Sequence, residues 1–232
     1  MSDFVLPTPP KYEGALLLAE NVTMRFGGVT AVSDLTLALP RHAIAGIIGP
    51  NGAGKTTVFN VLSGFYTPQE GAIVLDGMNI QGLKPYEICR LGMARTFQNI
   101  RLSPQMTVLE NIMVGCHVRR SCPWWMAPLG FPRFYREEAD LRAKGARLAE
   151  RVALSDQLNE QAGSLPYGAQ RRLEIARALA TEPRLLLLDE PAAGMNPQES
   201  LELMHFIGHI RDEFDLTILL IEHDMKVVMG VC

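Results

Sequence analysis

A chain of 232 residues holds one large domain, or one domain with an inserted part, and is long enough to fold without disulfide or structural-zinc staples. Its 47% hydrophobic content excludes a disordered chain, and 25 acidic against 22 basic side chains, a net charge of −3, exclude a polycationic grip on nucleic acid. Cys89, Cys116, Cys122 and Cys232 lack C-x2-C spacing and read as unpaired thiols of a reducing compartment, the cytoplasm by default, and no apolar run approaches the roughly 18 residues of a spanning helix.

Residues 1–14, with Pro7, Pro9, Pro10 and Gly14, read as a loose lead-in without the apolar core of a signal peptide. Three strand-like runs follow at 16–24, 31–39 and 43–49. The last is continuously apolar, which predicts a central strand covered on both faces. It runs straight into Gly49-Pro50-Asn51-Gly52-Ala53-Gly54-Lys55-Thr56 and then a helix from Gly54 to about Ser63, with Gly64 as a left-handed cap. Strand, G-x-x-x-x-G-K-[ST] and helix in that order form a phosphate-binding loop: the glycines let backbone N–H groups face phosphate oxygens, and the helix dipole adds about half a positive charge. Lys55 can reach the β- and γ-phosphates, Thr56 can place its hydroxyl on Mg²⁺, and Thr57 follows in the first turn. The bland alternative is a glycine-rich turn beside a solvated lysine.

From about 100 to 180 the pattern is helical, with Leu141, Leu148 and Val152 on one face of a segment over 138–154, and this predicts an inserted helical subdomain. The run SCPWWMAPLGFPRF is either a contact patch or a packed irregular loop. The loop is favoured because paired aromatics more often fill a small satellite core. Strand character returns in RLLLLDE, a helix is expected over about 197–212, and LTILLIE is a further apolar strand, so this part forms a parallel sheet. Asp189 and Glu190 end a buried strand at the edge where open α/β sheets hold ligands. Asp189 suits a Mg²⁺ holder and Glu190 a residue that polarises attacking water. Taken alone the pair could equally be an acidic loop before Pro191.

Ser164-Leu165-Pro166-Tyr167-Gly168-Ala169-Gln170-Arg171 and the following Arg172-Leu173-Glu174-Ile175-Ala176-Arg177-Ala178-Leu179 resemble the signature of ATP-binding cassette (ABC) proteins, and the resemblance spans nearly the whole chain. Gly168 and Gln170-Arg171 match it. Pro166, Tyr167 and Ala169 replace the family's serine, glycine and glutamine, and Pro166 offers neither hydroxyl nor N–H, although it suits a first helical turn. An amphipathic helix burying Leu173, Ala176 and Leu179 would look similar.

The resemblance implies an α/β fold: a phosphate-loop NTPase (RecA-like) core with antiparallel β elements, formed by 15–99 and 181–232, and an α-helical subdomain over 100–180. It implies ATP and Mg²⁺ as ligands, with Gly49, Pro50, Asn51, Gly52, Ala53, Gly54, Lys55, Thr56 and Thr57 on the phosphates. Phe26, for which core packing is the rival role, would stack on adenine. Gln98, in Arg-Thr-Phe-Gln-Asn, resembles the glutamine that touches metal and water. His223 resembles the switch histidine, where the plain alternative is a hydrogen-bonded loop residue. Thr56, Gln98 and Asp189 would hold the metal, and Glu190 with Gln98 and His223 would be catalytic. Ser164, Tyr167, Gly168 and Gln170 would act on nucleotide held by a second subunit, with Gly194 and Asn196 in the loop that crosses the interface; Asn196 also reads as a helix N-cap before Pro197.

The likeness is nearest to the ATPases of bacterial branched-chain amino-acid importers, on Arg25 to Val32, Ala94 to Leu102, Met106 to Asn111, Pro191 to Pro197, Ile221 to Met225 and an insertion near 116–137. It implies a second ATP-binding subunit, integral membrane permease subunits, an extracytoplasmic solute-binding protein acting indirectly, no nucleic acid, and a peripheral place on the cytoplasmic face of the inner membrane. A soluble ABC ATPase of translation or DNA repair is the rival. Family members continue past the switch histidine with further strands, so the end at Cys232 is expected to leave a sheet edge exposed.

Overall fold

The structure, a computed structural model, describes residues 14–122 and 131–222. The lead-in before Gly14, most of the aromatic and proline run at 123–130, and His223 with the residues after it lie outside the described residues. The chain divides into two compact units, one of 14–98 with 184–222 and one of 99–183.

The first unit holds two sheets. Strand β1 (Ala15–Phe26) turns at Gly27, φ 55°, into β2 (Val29–Pro40), and the two pair antiparallel from Ala15↔Pro40 to Phe26↔Val29. Strand β4 (Glu70–Leu75) lies antiparallel on the other side of β1, followed by the short β5 (Met78–Asn79), which gives the order β2-β1-β4-β5. The second sheet is parallel, in the order β3 (Ile44–Ile48), β8 (Thr217–Glu222), β7 (Leu185–Asp189), β6 (Met93–Arg95). Every residue of β7 and β8 is buried, as continuous apolar runs between covering layers should be. Alternate residues Leu185, Leu187, Leu219 and Ile221 join Leu17, Ile73, Leu75 and the helix residues Phe59 and Leu62 in one core.

The expectation of a central, doubly covered strand at 43–49 is corrected. Among the described residues β3 pairs on one side only, with β8, and its residues are half-buried or exposed, Ile48 at 40%. A short apolar run reports strand propensity but not how many neighbours the strand has.

Helix α1 (Lys55–Leu62) follows β3 and is closed by Ser63 and Gly64, φ 77°. Helix α2 (Pro85–Arg90) precedes β6, and α6 (Pro197–Glu213) joins β7 to β8. The second unit packs α3 (Val108–Cys116), α4 (Pro132–Arg151) and α5 (Tyr167–Leu179) on one another. Leu141, Leu148 and Val152 are buried as their helical spacing predicts, while Pro132–Phe134, read from sequence as irregular, form the first turn of α4. Proline is well tolerated there, where its missing N–H would have no intrahelical partner. Asn111, fully buried in α3, accepts from Ser103 N and donates to the carbonyls of Ser103 and Thr107, so one amide ties the preceding loop to the helix. In α5 Arg171 and Glu174 form a buried ion pair at 2.8 Å.

Candidate nucleotide site

The loop at 49–54 is shaped by two left-handed glycines, Gly52 (φ 84°) and Gly54 (φ 83°). At Gly54 a Cβ would collide with the Ala31 carbonyl oxygen, so both the dihedral and the space exclude any side chain. Gly54 is the N-cap of α1 and provides no side-chain cap, which leaves the first-turn amides of Lys55, Thr56 and Thr57 to an external acceptor. Lys55 is buried, and its ammonium donates to the carbonyls of Gly49 (2.7 Å) and Pro50 (3.0 Å), so the loop closes around its own cation. In front of it lies a cavity of about 780 Å³ lined by 29–31, 51–57, Gln98 and Glu190. That volume is in the range of a small-molecule site.

Strand β7 delivers the acids. Glu190 follows it with φ 44°, a costly conformation for a non-glycine residue, and its N–H donates to Ile221 O at 3.0 Å. Its carboxylate Oε2 accepts from Gln98 Nε2 at 2.8 Å, so two residues 92 positions apart meet at the cavity wall. Asp189 is not on that wall. It is buried, and its Oδ2 accepts from Arg95 Nη2 at 2.8 Å. Phe26 also lies off the wall; the residue is 42% exposed, which argues against pure core packing, and its ring forms a T-shaped pair with Tyr66 at 5.1 Å.

In the second unit Pro166 is the N-cap of α5, not a residue of its first turn, because its ψ of 150° is extended. Tyr167 therefore opens the helix; it is 43% exposed, and its hydroxyl accepts from Arg171 Nη2 at 3.3 Å. A Cβ on Gly168 would meet nothing within 4 Å. Ser164 Oγ donates to Gln161 O at 2.7 Å and Gln170 Nε2 to Leu165 O at 2.8 Å, so both side chains brace the entry to α5. In the first unit Gly194 turns with φ 79°, and Asn196 caps α6 reciprocally: its side chain accepts from Glu199 N while Glu199 accepts from Asn196 N, both at 2.9 Å.

A family model described as ABC transporter matches residues 32–193. The chain belongs to the ABC transporter family. It is similar to the high-affinity branched-chain amino acid transport ATP-binding protein LivG of Salmonella typhimurium, 48% identical over 93% of this chain and 85% of that protein. The Pseudomonas aeruginosa protein of the same description, BraF, matches to the same extent. Among solved structures, an ATP-binding cassette of an ABC transporter in its ADP conformation superposes with a TM-score of 0.81 at 31% identity, covering 94% of this chain and 84% of that one.

Two residues of this ABC chain carry polar structure at the site with no role legible in sequence. Arg95 grips Asp189, and the hint was a lone charge inside the strand that leads to Gln98. Glu222, 1% exposed, accepts from Ala192 N at 3.1 Å and steadies the turn after Glu190; the hint was an acid closing an apolar strand. The metal residues expected from sequence, Thr56, Gln98 and Asp189, offer a hydroxyl, an amide oxygen and a carboxylate. That oxygen-only donor set fits Mg²⁺, which binds through one or two carboxylates together with substrate phosphates. Among the described residues no group of three or more His, Cys, Asp or Glu is placed to hold a metal ion.

Proposed function

We propose that the chain is the ATP-hydrolysing subunit of an importer for branched-chain amino acids. The observation that carries the chemistry is the Gln98–Glu190 hydrogen bond on the wall of the phosphate-loop cavity. The loop amides and Lys55 bind the phosphates, the ammonium exchanging its two carbonyl partners for phosphate oxygens. Gln98 aims the Glu190 carboxylate, which takes a proton from the attacking water. Thr56, Gln98 and Asp189 would hold a Mg²⁺ ion, which when bound would neutralise phosphate charge. Phe26 gives the adenine a stacking face. His223, outside the described residues, takes the switch role from the resemblance.

The reaction runs in a sandwich of two such subunits, each nucleotide meeting the other chain's signature residues Ser164, Tyr167, Gly168 and Gln170, with Gly194 and Asn196 at the crossing loop. The amides at the start of α5, which has no side-chain cap, support that role. The names of the relatives, branched-chain amino acid transport ATP-binding proteins, support the solute class. Separate membrane permease chains, an extracytoplasmic binding protein acting through them and a peripheral place on the cytoplasmic face of the inner membrane follow from the family resemblance. No described helix is long and apolar enough to cross a membrane.

Purification of the tagged chain from its native membranes tests this reading. Co-elution with membrane-spanning permease chains and leucine-dependent stimulation of ATPase activity in the reconstituted assembly are expected. Elution without membrane chains, with ATPase activity stimulated by nucleic acid, would replace the importer by the soluble rival.

A further inference from the structure

One guanidinium joins three segments of the first unit. Arg95 ends β6, and its side chain is 6% exposed. Its Nη2 donates to Asp189 Oδ2 at the end of β7, while Nη1 donates to Asn60 Oδ1 (2.8 Å) and Ser63 Oγ (3.0 Å) in and just after α1. The rings of Phe59, Phe65 and Phe97 surround the guanidinium with centroids 5.1 to 5.8 Å from its carbon. A planar fork with several fixed donors can hold acceptors on a helix and a strand at once; an ammonium on a flexible stem cannot fix both directions. The two elements it ties are the ones that matter for a metal: α1 begins with Lys55 and Thr56, and β7 ends with Asp189.

We propose that Arg95 is a positioning residue for the metal, resting on the reading of Thr56 and Asp189 as metal residues. It engages Oδ2 of Asp189, which would leave Oδ1 for a metal, and fixes the carboxylate against the helix that carries the Thr56 hydroxyl. Outer partners of this kind set ligand orientation, and losing one typically costs 10- to 100-fold in metal affinity. A merely structural buried pair would instead change folding stability and leave metal affinity alone.

The test is a titration of Mn²⁺, followed by electron paramagnetic resonance of the free ion, into protein saturated with a non-hydrolysable ATP analogue. Wild type, Arg95→Met, Arg95→Lys and Asp189→Asn are compared, and analogue affinity is measured separately in EDTA. For Arg95→Met the Mn²⁺ dissociation constant is expected to rise by about 10-fold or more, with analogue affinity in EDTA within about two-fold of wild type because the loop amides and Lys55 are untouched. Arg95→Lys should fall between the two. If Arg95→Met does not fold, Arg95→Lys carries the test. A wild-type Mn²⁺ constant in whichever variant is folded overturns the proposal. Unchanged Mn²⁺ affinity in Asp189→Asn would sink the metal reading itself, whereas a loss there with none at Arg95 sinks only the positioning role.

Discussion

Both units present a helix start without a side-chain cap, but the two are built differently. At α1 the chain folds back over its own helix: Gly54 sits against Ala31, and Lys55 is drawn onto the carbonyls of Gly49 and Pro50. At α5 only the start of the helix is open, with exposed Pro166 and Tyr167 and room beside Gly168 before the buried Ala169. The same partial charge of a helix N-terminus is thus enclosed in one unit and displayed in the other. On the proposed function, the enclosed terminus binds nucleotide with its own chain's groups, and the displayed one meets nucleotide held by a second subunit.

The largest effect should come from the acid beside the enclosed terminus. Glu190→Gln is expected to slow ATP turnover by about 100-fold or more while nucleotide still binds, since a carboxylate base contributes at least that much and the amide keeps the shape. Near wild-type turnover would remove Glu190 from the base role. Next, Gly54→Ala should weaken ATP binding by about 10-fold or more, because the loop must open to relieve the collision with Ala31. The matched Gly168→Ala should leave binding to the isolated subunit unchanged and raise the melting temperature by ~1–3 °C, as an alanine replaces a helical glycine in open space. Equal effects at the two glycines would erase the contrast between the units.

A third helix start is capped, and it supplies the reference. Asn196→Ala should cost about 1 kcal/mol in urea unfolding without changing ATP affinity.

The smallest effect concerns acid. Glu137 lies in α4, where partial burial pushes its carboxyl up, but hydrogen bonds from the N–H and hydroxyl of Ser121 and from Cys122 outweigh this and hold it at about 2. A folded value below the ordinary 4.5 means that its stabilisation is present above pH 4.5 and is lost as pH falls toward 2. Hydrogen exchange should therefore show the second unit loosening over that window, and Glu137→Gln should flatten the dependence.

What was legible in the sequence follows from how local each constraint is. The phosphate loop could be read because its shape depends on glycines within six residues, and β7 and β8 because strands buried on both faces are apolar throughout. The edge placement of β3 among the described residues could not, since AIAGIIG carries no mark of what pairs beside it. Proline tolerance at a helix start did not separate the N-cap from the first turn, and ψ at Pro166 decided it. Arg95 was opaque because its partners at 60, 63 and 189 are distant in sequence and meet it only once both sheet and helix exist.

The central claim is that this chain's own loop encloses the phosphates of ATP. Calorimetric titration of ATP with magnesium into the folded chain and its Lys55→Ala variant tests it most directly. Saturable heat in the wild type, lost in a variant that circular dichroism shows to be folded, is the expected result; a wild type that takes up no nucleotide, or a variant that binds equally well, would contradict it.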